Sequence, residues 1–114
     1  MSSIEDKMDR MVQQWACKQQ SYVSYLPAEC GHHYKKRRID LLRWDLLNII
    51  PLTYYEHTQV HNGKLDIEIR NPFRKLYLDQ RANMNLKSYL LENGWTREEW
   101  LKIQYTKLER ELDE

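Results

Sequence analysis

At 114 residues the chain is sized for one domain around one hydrophobic core, and 41% apolar against 31% charged residues place it among folded rather than disordered sequences. No run approaches the ~20 apolar residues needed to span a bilayer, and the first residues, MSSIEDKMDRMVQQW, carry no basic-then-apolar leader pattern. A soluble, cytoplasmic protein with no membrane partner is therefore expected.

The net charge of +1 hides a polarity. Residues 31–81 carry ten Lys and Arg against six Asp and Glu, residues 1–30 three against four, and residues 82–114 five against seven. The middle of the chain is the part suited to a polyanion. Two cysteines, Cys17 and Cys30, are too few for a disulfide framework and lack C-x-x-C spacing. Free thiols are expected, and a structural zinc knuckle is not.

In chain order, residues 3–20 read as an amphipathic helix capped by Ser2 or Ser3. Ile4, Met8, Met11, Val12 and Trp15 form its packing stripe. An extended segment from Tyr22 ends at Gly31-His32-His33. Tyr34 to Asp45 reads as a basic loop, and Asn48-Ile49-Ile50-Pro51-Leu52 as a brief strand. A helix follows from Thr53 to about His61, closed by Asn62-Gly63. The alternation in Lys64 to Arg70 predicts one more strand, with Leu65, Ile67 and Ile69 on one side. Asn71-Pro72 opens another helix, Leu86 to Leu91 forms a short one stopped by Asn93-Gly94, and the capping box Thr96/Glu99 starts a last helix over about 97–112. There Trp100, Leu101, Tyr105 and Leu108 form a packing face. The fold class is thus α+β in one domain, residues 1–114: a core of about 28–64, an N-terminal helix of about 3–20 and a C-terminal helical part of about 72–112.

All four histidines fall within thirty residues: His32, His33, His57 and His61. His57 and His61 are spaced i, i+4 on the predicted helix, so their imidazoles share a face and can share a metal ion. A strand ending near His32 can supply a third ligand. Adjacent strand residues face opposite sides, so one of His32 and His33 can bind metal while the other addresses a substrate water.

The pattern His32-His33, Asn48, His57, His61, with Asn48-Ile49-Ile50-Pro51-Leu52 and the closing His61-x-Gly63-Lys64, resembles the HNH endonuclease family over roughly residues 28–64. The spacing is similar to that of the DNase colicins, and the overall size is like that of small phage-encoded HNH proteins. The resemblance implies a ββα-metal (His-Me finger) motif flanked by helices, holding one divalent ion (Mg, Mn, Ni or Zn). It further implies His32, His57 and His61 as ligands, His33 as the general base and Asn48 as the residue that orients it. The activity implied is hydrolysis of phosphodiester bonds in nucleic acid, expected to be double-stranded DNA. The alternative is a catalytically silent module that binds DNA or a phage or host protein. Many phage members carry Cys pairs for a structural zinc; Thr53 and Glu56 occupy such positions here, so that zinc is not expected.

Lys35, Lys36, Arg37, Arg38 and Arg43 are the candidate phosphate contacts. Tyr54 and Tyr55 are able to stack on bases, but core packing is the expectation for them, as it is for Trp44, Trp95 and Trp100. Cys30 is expected to be a buried free thiol.

Overall fold

A computed structural model describes residues 3–113. Among these, six α-helices surround a two-stranded antiparallel sheet. Helix α1 spans Ile4–Cys17, strand β1 Cys30–His33, helix α2 Asp40–Arg43, strand β2 Ile49–Leu52, helix α3 Tyr54–His61, helix α4 Pro72–Ala82, helix α5 Leu86–Asn93 and helix α6 Arg97–Asp113. No described helix is long and apolar enough to cross a membrane.

Helix starts follow local chemistry. Ser3 accepts from the Asp6 amide, Asn71 from Phe73 and Arg74, and Asn85 from Ser88, each satisfying donors that have no partner within the helix. The alternative cap, Ser2, lies outside the described residues. Thr53 and Glu56 form a reciprocal capping box on α3, and Thr96 and Glu99 exchange the same pair of bonds at α6. Gly63 and Gly94 hold φ of +72° and +69° past their helices, where a Cβ would be strained.

Register pairs Cys30 with Leu52, Gly31 with Pro51, His32 with Ile50 and His33 with Ile49. Opposed residues share a face and neighbours alternate, so Ile49 enters one apolar cluster while Ile50 and Leu52 enter another. The first cluster joins Met8, Val12 and Ala16 of α1 to Trp44, Trp100 and Leu108. The second joins Cys30, Leu42, Ile50 and Leu52 to Ile69 and Leu78. All four residues of β2 are buried. Gly31 permits the close approach of α1: a Cβ there would lie 2.7 Å from Ile49 Cγ2 and 3.0 Å from Ala16 Cβ. The Gln13 amide of α1 seals this contact, donating to the Gly31 carbonyl at 3.1 Å and accepting from its N–H at 2.8 Å.

Four expectations are corrected. The first helix stops at Cys17, and the chain leaves it through turns; Ala28 N–H bonds to the Gln19 carbonyl in an isolated bridge, so extended structure at the site begins only at Cys30. The segment 34–45 is not all loop, because Asp40–Arg43 forms one helical turn that buries Leu41 and Leu42. Residues 64–70 form no strand. Their inward alternation is real, with Ile69 buried and Leu65 and Ile67 half-buried, but the Tyr22 hydroxyl occupies the backbone there, donating to the Glu68 carbonyl and accepting from Arg70 N–H. Tyr54 and Tyr55 are not core residues; they are 62% and 74% exposed.

Candidate metal centre

The hairpin and α3 bring three histidines together. One imidazole nitrogen each from His32, His57 and His61 lies within 4.8 Å of the other two, and Nε2 of His57 and His61 are 3.1 Å apart. The His32 ring centroid sits 5.4 Å from that of His57 and 6.2 Å from that of His61. Two imidazole nitrogens bound at 2.0–2.1 Å to a tetrahedral ion are about 3.3 Å apart. The His57–His61 spacing is already near that value, and the His32 nitrogen stands within 4.8 Å of both. Three imidazole nitrogens are a donor set suited to a borderline divalent ion such as Zn²⁺.

Burial and neighbouring rings favour the unprotonated form of two of the donors, His32 and His57. Burial, reinforced by His57, His61 and His33, pushes His32 down to about 4. Burial and the His61 ring likewise lower His57. A cation therefore competes with little bound proton at these two rings near neutral pH.

His33 occupies the opposite face of β1 from His32. Its Nε2 lies 2.9 Å from the Arg43 carbonyl. A carbonyl can only accept, so Nε2 carries the proton and Nδ1 presents a lone pair. Burial lowers the His33 pKa, opposed by that hydrogen bond.

Asn48 is fully buried at the end of a 3₁₀ turn, Leu46–Asn48. Its Oδ1 accepts from Lys35 N–H at 2.7 Å, while Nδ2 donates to the carbonyls of Lys35 and Leu42. The bond to the His33 ring thus comes from the Arg43 main chain, and Asn48 staples the loop that carries Arg43.

Sequence reading missed the group that anchors this loop. Asp9 of α1 accepts from Arg43 Nε at 3.1 Å, a terminal Arg43 nitrogen at 2.6 Å, Arg37 at 2.6 Å and Trp44 Nε1 at 2.9 Å. Burial would raise the Asp9 pKa, but these donors hold it below the usual carboxylate range. Of the five candidate phosphate contacts, Arg37 and Arg43 are thus paired with Asp9 and Lys35 with Asp79. Lys36 and Arg38 are exposed and form no ion pair among the described residues.

Beneath α3, the buried Glu56 carboxylate accepts from Ser21 Oγ at 2.5 Å and from Thr53 N–H at 2.8 Å. It fixes the first turn of the helix that carries two of the three histidines. Cys30 is buried and Cys17 exposed, both as free thiols; burial raises the Cys30 pKa. Hollows of about 590 and 760 Å³ lie elsewhere on the molecule, and none of the four histidines lines them.

No known family, no curated protein and no solved structure matches the chain.

Proposed function

We propose that the chain is a metal-dependent endonuclease of the HNH type that hydrolyses phosphodiester bonds in nucleic acid. The observation that carries this reading is the convergence of His32, His57 and His61 beside a fourth histidine whose proton is fixed on Nε2. His32, His57 and His61 would hold the divalent ion, which supplies positive charge for the scissile phosphate and the departing oxygen. His33 Nδ1 takes the proton of the attacking water, and the Arg43 carbonyl stabilises the imidazolium that results. Asn48 holds the backbone from Lys35 to Leu42 so that this carbonyl keeps its place. Because His32 and His33 sit on opposite faces of β1, a phosphate reaches both by lying across the end of the strand. None of the triad histidines lines the main hollows among the described residues, which suits a polymer better than a small metabolite.

The test is nicking of supercoiled plasmid after chelation and re-addition of Mg, Mn, Ni, Co or Zn. His33→Ala should lose turnover by 10²-fold or more while keeping zinc affinity and fold, and His57→Ala should lose both zinc and turnover. Undiminished cleavage by His33→Ala defeats the assignment.

A second reading, a module that binds without cutting, is favoured by one observation: three of the five basic side chains near His33 are already engaged by carboxylates. Tight nucleic-acid or protein binding with no cleavage across the metal panel selects it.

A further inference from the structure

Helix α3 exposes two large aromatic rings at its start, Tyr54 and Tyr55, and of the exposed aromatic residues, Tyr25 and Phe73 included, these two share a helix with two of the triad histidines. Tyr54, His57 and His61 are spaced i, i+3, i+7 and so lie on one stripe of the helix. At 1.5 Å rise per residue the Tyr54 backbone stands about 4.5 Å along the axis from His57. Tyr55 is turned about 100° away from that stripe. The Tyr54 phenol makes no hydrogen bond among the described residues, while its N–H is held by the Glu29 carboxylate at 3.2 Å. With the capping box locking the same turn, Tyr54 is a free ring on a fixed backbone.

The surroundings indicate what covers it. Two tyrosines are far smaller than the ~800 Å² per partner of a stable protein interface. In the hairpin register, Tyr54 follows Leu52 at the Cys30 end, whereas exposed Lys36 and Arg38 follow His33 at the opposite end, about 10 Å away along β1. Aromatic ring, imidazole triad and free cations thus succeed one another along the hairpin, which matches a strand offering a base and then phosphates.

We infer that Tyr54 stacks on an unpaired nucleobase next to the scissile phosphate, so that the preferred substrate is single-stranded or locally unpaired nucleic acid instead of continuous duplex. The inference rests on the reading of the histidine triad as the cleavage centre. Within a duplex both faces of a base are covered by its neighbours, so only an unpaired nucleotide can present a face to the ring.

The experiment measures fluorescence anisotropy of a labelled single-stranded 12-mer and of a hairpin duplex of the same sequence, with zinc-saturated and with chelator-treated full-length protein. Wild type should bind the single strand more tightly than the duplex. Tyr54→Ala should weaken single-strand binding about five- to a hundredfold and leave duplex binding and the zinc titration unchanged. Tyr54→Phe should retain wild-type affinity, Tyr54→Leu should not, and Tyr55→Ala should have little effect. Equal affinity of wild type and Tyr54→Ala for the single strand overturns the inference, as does an equal loss on the duplex. Absence of zinc binding or of cleavage counts against the cleavage centre instead, since the strand-against-duplex contrast is read without turnover.

Discussion

Replacing Asp9 with Ala tests whether α1 anchors the site loop. Three losses follow from the geometry. Trp44, 3% exposed, keeps an indole N–H with its partner gone, which costs about 1–3 kcal/mol. The Arg43–Asp9 pair has side chains 17% and 23% exposed; it lies between surface pairs worth about 0–1 kcal/mol and buried ones whose breakage costs about 3–5 kcal/mol. Glu5, 3.8 Å from Arg43, retains part of that charge compensation. The Arg37 contact, with the Arg37 side chain 59% exposed, adds little. These terms overlap, and the expected destabilisation is about 2–4 kcal/mol, read as a lowered urea midpoint at unchanged m-value. Asp9→Asn keeps an acceptor for Trp44 while losing the charge, so it should cost about half as much. In a double-mutant cycle, Arg43→Ala should be clearly less costly on the Asp9→Ala background than alone. Asp9→Ala within about 0.5 kcal/mol of wild type, or strict additivity with Arg43→Ala, refutes the anchoring argument.

Two further outcomes concern the hairpin and its histidines. Gly31→Ala forces a methyl against the fully buried Ile49 and against Ala16, so it should destabilise by about 1–3 kcal/mol; thermal unfolding that matches wild type would show that α1 can shift without cost. The folded pKa of His32, about 4, lies below its unfolded value of about 6.5. The unfolded chain therefore binds more protons in that window, and the stability this residue contributes is complete above pH 6.5 and is lost as pH falls toward 4. Discounted for the partial exposure of the ring, the loss is on the order of 1–2 kcal/mol. Urea titrations in chelator at pH 7 and pH 5 should show a larger drop for wild type than for His32→Gln, and equal drops sink the argument.

Much of the helical framework was legible because its signals are local. Thr53, Asn71 and Thr96 each sit within three or four residues of the amides or side chains they engage, and Gly63 and Gly94 mark stops by backbone conformation alone. The histidine spacing was legible for the same reason: i, i+4 geometry survives any tertiary arrangement. The failures required partners far away in sequence. Alternation in residues 64–70 reports inward-facing side chains, but a strand also needs a neighbouring backbone, and Tyr22 takes that place. Tyr54 and Tyr55 were expected to be buried from residue type, yet burial of a helix face depends on whether another element covers it. The Asp9 cluster spans 34 residues to Arg43, and nothing in the spacing of a lone acidic residue announces such a contact. Helix α2, four residues long, is too short to show a period.

The Gln13 clasp on Gly31 bears on the company this hairpin can keep. Pro51 has no N–H, so Gly31, its register partner, turns its own N–H and carbonyl outward. Left bare, such groups template the addition of a foreign strand, the usual route from a short sheet to aggregates. Here one glutamine amide fills both positions, and on the far side Tyr22 N–H occupies the Pro51 carbonyl at 2.9 Å. At these two positions the ribbon offers an incoming peptide nothing to zip onto.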